Sequence, residues 1–246
     1  MRWVFDGLSQ HYHDHTWIAS RSIICPTNKT VDTINCAVMD TFPGQPREYR
    51  SFDSVERGAH LYQPEYLNSL APSGMPPHKL ILKVGCPAML LRNLNPQQSQ
   101  CNWTKYIVTH LHDNVIEAVV ATGAYKGNRL FVPRIPIKPS EKSFPFHLTR
   151  KQFPIRPCFA ITSNKAQGQT LSRVGIYIDS HFFSHGQYYV SQSRVGDDSS
   201  LIPTILYMKR FWCNIVRAFI VILIVTHIGS ILFLVKQCMQ THKYYM

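Results

Sequence analysis

The chain reads as an α/β protein: a parallel sheet, interrupted by a strand-rich insert and followed by an apolar helix. Three patterns carry this expectation. From Phe153 onward, strand and helix patterns alternate as PCFAIT, NKAQGQTL, VGIYID and a helical stretch over about 184–194, as in a parallel sheet with crossover helices. Earlier, the β-rich run 22–26 (SIICP) leads into a helix over about 28–40, where Val31, Ile34 and Val38 fall on one face. Between these lies a series of short strand patterns bounded by Pro and Gly.

In chain order, residues 1–20 are polar and aromatic without a strong period, and they lack the apolar core of a secretory signal. The helix over 28–40 is stopped by FPGQP at 42–46. The Pro/Gly-rich stretch 70–77 (LAPSGMPP) reads as a linker into the insert, whose strands are expected within 80–91 and over 106–109, 115–120 and 129–132, with Pro133, Pro136 and Pro139 closing it. The expected units are therefore 1–78, an insert over 79–149, a return to the first unit over 150–198, and a basic, apolar tail over 199–246.

With 45% apolar and 12% aromatic residues among 246, the chain can bury a real core, which excludes a disordered basic tail. Its 26 Lys and Arg against 14 Asp and Glu give a net charge of +12, which favours polyanionic partners such as nucleic acid or an anionic membrane face. The excess has two homes. Residues 199–246 carry Lys209, Arg210, Arg217, Lys236 and Lys243 with no acid, for +5, and the rest of the chain carries +7. Those tail charges flank the apolar run 218–235 (AFIVILIVTHIGSILFLV). At a helical rise of about 1.5 Å per residue, this run just reaches across a hydrocarbon core of ~30 Å, which makes it a candidate membrane partner and transmembrane helix. The flanking charges bias its N-terminal side towards the cytoplasm.

Seven cysteines, widely spaced and without a C-x-x-C pair, suit a reducing compartment better than a zinc site or a disulfide framework. His11, His13 and His15 alternate as HYHDH, which on a strand would offer imidazoles to a metal from one face; a solvated polar segment is the commoner meaning. His110 and His112 read as one face of a strand. Trp103, Tyr188 and Tyr189 can stack on bases, although bulky aromatics are more often buried.

The most suggestive chemistry lies where a strand runs into SNKAQGQ. A glycine-bearing turn at the carboxyl end of a parallel strand is where open α/β sheets bind ligands. Gly168 lets a backbone approach a phosphate, and Lys165 supplies a point charge. Arg194, at the end of the helix GQYYVSQSR, can face a transferring phosphoryl group or simply satisfy the last carbonyls of its own helix.

Seven segments, in order over about residues 4–196, resemble the Pif-one-like superfamily-one helicases, including those of Helitron transposons. CPTNKTVDTINCAVMDTFPG is similar to their motif IV region. LKVGCPAMLLRNLNP, CNWTKYIV, FVPRIPI and RKQFPIRPCFAIT resemble the passage from an inserted small SH3-like β-barrel back to the second RecA-like domain. ITSNKAQGQTLSRVGIYI looks like motif V, and HGQYYVSQSRV like motif VI. The resemblance implies the C-terminal half of an ATP-dependent 5′-to-3′ DNA helicase, with ATP and Mg²⁺ as cofactors, single-stranded DNA as partner and a nuclear location. Family roles include recombination, repair, telomere maintenance and transposition. By matching position, Arg194 would be the catalytic arginine finger and, with Gly168 and Gln169, would touch ATP. Thr162, Lys165, Thr27 and Asn28 would lie near DNA.

Several family features are missing from this sequence. It has no G-x-x-x-x-G-K-[ST] and no Asp-Glu pair, so the P-loop and Mg²⁺ ligands would come from a Walker-containing helicase half. The chain alone is therefore expected to be inactive, and a non-catalytic DNA-binding remnant or a membrane-anchored helicase-like protein are the alternatives. The motifs also depart from the family at Trp103, where glycine is usual, at Asn164 and Ala166, and at Ser191-Gln192, where Ala-Leu is usual. The tail beyond Asp197 has no counterpart in the resemblance.

Overall fold

A computed structural model of the chain describes residues 4–56, 61–95, 100–123, 125–139, 144–178, 186–194 and 206–208. The candidate transmembrane helix over 218–235 lies outside the described residues. Among the described residues, no helix is long and apolar enough to cross a membrane.

The first twenty residues form two short helices, α1 (Leu8–His11) and α2 (His15–Ala19). This corrects the reading of HYHDH as a strand. Asp14 is the cause: its carboxylate accepts from the backbone amides of Thr16 and Trp17 at 2.9 and 3.0 Å, capping α2 and splitting the three histidines between two helices and a turn. His11 stacks on Trp17, and His13 lies against Tyr12. Among the described residues, no group of three or more His, Cys, Asp or Glu is placed to hold a metal ion.

The α/β expectation is met by β1 (Arg21–Cys25) and α3 (Asn28–Thr41), which bury Ile23, Ile24, Val31, Ile34 and Val38. Thr27 caps α3 by accepting from Thr30 N at 3.2 Å. Two short strands follow, β2 (Arg47–Arg50) and β3 (Phe52–Val55), then α4 (Pro64–Ser69) with proline in its first turn.

Residues 79–149 hold β4 (Lys79–Leu82), β5 (Pro87–Leu90), β6 (Lys105–Leu111), β7 (Val115–Val120), β8 (Arg129–Pro133) and β9 (Ile135–Ile137). The chain returns through β10 (Leu148–Gln152), β11 (Ile155–Pro157), β12 (Ala160–Thr162), α5 (Ser163–Ala166), β13 (Arg173–Ile178), α6 (Gln187–Gln192) and β14 (Leu206–Met208). The helix expected over NKAQGQTL is a single turn, because Gly168 adopts φ +79° and ends it.

Four strands make a parallel sheet in the order β12-β1-β13-β14. Gly175 in β13 is placed where a Cβ would come within 2.5 Å of Val4, so the N-terminal segment packs directly on this strand. The order β11-β5-β6-β7-β8 forms a five-stranded antiparallel sheet, and β3-β10-β9 and β2-β4 form two smaller ones. One apolar cluster joins these parts, with Ile23, Val31, Ile34 and Phe159 on one side and Leu82, Tyr106, Ile107 and Val132 on the other. Burial of that continuous apolar surface is the main force holding them together.

The linker over 70–77 is fastened by a buried cation. Arg150, fully buried in β10, pairs with the buried carboxylate of Asp53 and donates to the carbonyls of Leu67, Leu70 and Pro76 at 3.2, 3.1 and 3.1 Å. Each nitrogen of the guanidinium thereby has an acceptor, the condition under which a buried charge is tolerated.

Candidate nucleic-acid interface

Cys25, at the end of β1, sits beside Thr162, at the end of β12, in parallel register. The segments leaving these strands therefore emerge at the same carboxyl edge of the sheet. Thr27 and Asn28 begin α3 there; Thr162 is the N-cap residue of α5, and Lys165 lies in its single turn. Lys165 Nζ donates to Asn28 Oδ1 at 3.4 Å across this edge. Gln169 Nε2 donates to the Lys165 carbonyl at 3.0 Å, and the backbone of Gly168 faces open space. Six of the seven residues singled out in the sequence thus gather at one sheet edge.

Arg194 takes the other course open to it. Its Nε donates to the Val190 carbonyl at 2.9 Å, and a terminal nitrogen donates to Ser193 Oγ at 2.8 Å, so the guanidinium closes the end of its own helix. Its backbone still ties the two motifs together, since Leu171 N donates to the Arg194 carbonyl at 2.9 Å. A buried contact between Ser163 and Ser191 hydroxyls and a bond from Gln187 to Asn164 join α5 to α6 at the sites where the sequence departs from the family.

The sheet edge opens into a groove of about 400 Å³ against the five-stranded sheet. Lys165, Gly168 and Gln169 line one side; Asn102, Trp103 and Tyr125 line the other. Burial, with Arg156 nearby, pushes the Lys165 ammonium down to about 8, against the opposing pull of Asp32. Lys165 Nζ lies 4.5 Å from the centroid of the Trp103 ring, a cation–π contact. Trp103 has φ +73°, the one left-handed backbone among the described non-glycine residues. Sequence reasoning flagged Trp103 as an aromatic at a usual glycine position but did not connect it to Lys165. Tyr125 carried no signal beyond its place in a glycine-flanked turn. Tyr189 is exposed, and the side chain of Tyr188 lies outside the described set.

Residues 65–111 match the 2B domain of DNA helicase Pif1. Over 195 residues the chain is 27% identical to the ATP-dependent DNA helicase Pif1 of Bdellovibrio bacteriovorus, covering 78% of this chain and 41% of that protein. Over these stretches the chain is similar to the Pif1 DNA helicases.

A 128-residue stretch is 30% identical to the ATP-dependent DNA helicase PIF6 of Trypanosoma brucei brucei, covering 51% of this chain and 16% of that protein. The chain thus spans less than half the length of these relatives. Its fold is similar to that of Bacteroides Pif1 bound to single-stranded DNA, with a TM-score of 0.56 and 24% identity over 78% of this chain and 41% of that one. Pif1 of Candida albicans gives a TM-score of 0.54 at 20% identity, covering 91% and 58% of the two chains. At these identities the likeness speaks for the fold.

Proposed function

We propose that this chain is the single-strand-holding part of a Pif1-type 5′-to-3′ DNA helicase. Residues 1–78 and 150–198 would supply its second RecA-like unit and residues 79–149 most of an inserted SH3-like barrel, to whose sheet β11 adds a strand from beyond the expected boundary. The observation that carries this reading is the meeting of Thr27, Asn28, Thr162, Lys165, Gly168 and Gln169 at the carboxyl edge of a parallel sheet, where Lys165, Gly168 and Gln169 line a groove whose lining holds no carboxylate. An open backbone at Gly168 and a cation at Lys165 suit a phosphodiester, and Asn28 and Thr27 add neutral polar contacts.

The residues present do not fit ATP and Mg²⁺ by themselves. The sequence holds no phosphate-cradling loop, and Arg194 is engaged by its own helix. Hydrolysis is therefore assigned to a Walker-containing helicase half acting with this chain. The engagement of Arg194 favours a second reading, in which the chain binds single strands without taking part in catalysis.

Fluorescence anisotropy of the full chain with a labelled oligonucleotide tests both. Saturable binding at low ionic strength, weakened by salt and by Lys165→Ala, is expected; absence of binding at low salt would rule both readings out.

A further inference from the structure

We propose that Trp103 is a base-stacking residue that, with Tyr125, builds a nucleobase subsite beside Lys165. The inference rests on the single-strand reading above and adds to it a recognition of the base itself.

The backbone provides the first ground. A positive φ is costly for any side chain with a Cβ, and strain of this kind persists only where the surroundings impose it. Here they do. Trp103 N donates to the Leu90 carbonyl at 2.9 Å, Asn102 N to Asn93 Oδ1 at 2.6 Å, and Thr104 N to the Cys101 carbonyl at 3.2 Å. Glycine meets this φ without cost, yet the chain places its bulkiest side chain there.

Packing does not explain the choice. The indole remains 36% exposed and Tyr125 44% exposed, and both face the groove instead of the core. The groove, at about 400 Å³, is of a size that suits one nucleoside. Asn102, Thr122 and Gln169 on its lining offer amide and hydroxyl groups to the edges of a base. Lys165 provides the complement. Its ammonium rests against the indole ring, so a base stacking on that ring takes its place and leaves the cation free to pair with the adjoining phosphate.

The experiment compares a thymidine oligonucleotide with an abasic strand of equal length, binding each to the full chain and to the Trp103→Phe and Trp103→Gly variants. The wild-type chain and Trp103→Phe are expected to prefer the base-bearing strand. Trp103→Gly is expected to bind that strand about tenfold more weakly and the abasic strand unchanged. Equal loss on both strands, or no loss on either, overturns the stacking role while leaving single-strand binding intact. No binding of either strand by the wild-type chain overturns the underlying reading instead. Glycine suits the backbone at 103, so this variant should fold; Tyr125→Ala, tested on the same two strands, gives a second readout and should lose part of the preference for bases.

Discussion

The hydroxyls of Ser163 and Ser191 lie 2.9 Å apart with both side chains buried, and they fasten α6 to the single turn of α5. Ser191 also approaches the Gln187 carbonyl at 2.8 Å. Its one proton serves that carbonyl, so Ser163 is the donor in the pair. Ser191→Ala strands the Ser163 hydroxyl and is expected to lower stability by about 1–3 kcal/mol in a denaturant titration. Replacing both serines with alanine should cost less than Ser191→Ala alone, because no buried donor is then left without an acceptor.

The buried Arg150–Asp53 pair makes a sharper stability prediction. Arg150→Leu leaves the Asp53 carboxylate buried without its cation and removes a donor from the carbonyls of Leu67, Leu70 and Pro76, and about 3–5 kcal/mol should be lost. Proteolysis should then cut first within 70–77, the segment that the guanidinium holds. Uniform resistance of that segment in the variant would contradict its role as a clamp.

Lys165 ties binding to pH. Its proton is released near pH 8 in the native chain, well below the ordinary lysine value of 10.5, with burial the main cause. Between these values the unfolded chain holds more protons than the folded one, so stability should rise as pH climbs from about 8 towards 10.5. Affinity for a phosphodiester should move in the opposite direction, falling between pH 7 and pH 9 as the ammonium loses its charge. Lys165→Arg, whose charge persists, should flatten that fall. Equal pH profiles for the two proteins would show that Lys165 does not face the strand.

ATP turnover is expected to be absent when the purified chain is mixed with ATP, Mg²⁺ and single-stranded DNA. Hydrolysis that disappears on Arg194→Ala would contradict this and would mean that the guanidinium leaves Val190 during a catalytic cycle.

Local patterns made part of this structure legible in advance. Val31, Ile34 and Val38 announced α3, and the strand–helix alternation after Phe153 announced the parallel sheet, because both depend on neighbours a few residues apart. The sites joined across long separations were not legible. Arg150 reads as a surface cation until β10 pairs with β3 and brings it to Asp53. The groove likewise depends on the five-stranded sheet carrying Trp103 to Lys165, a meeting that no periodicity encodes. Arg194 was recognised by its position, but only the geometry shows its guanidinium turned back on its own helix.

The central claim is that the sheet edge at Lys165 holds the backbone of a single strand. Its most direct test is the salt dependence of oligonucleotide affinity for the full chain and for Lys165→Ala. Affinity should fall linearly on a log–log plot, with the variant shallower by about 0.7, the contribution of one phosphate contact on a single strand. An identical slope for the two proteins, or affinity indifferent to salt, would contradict it.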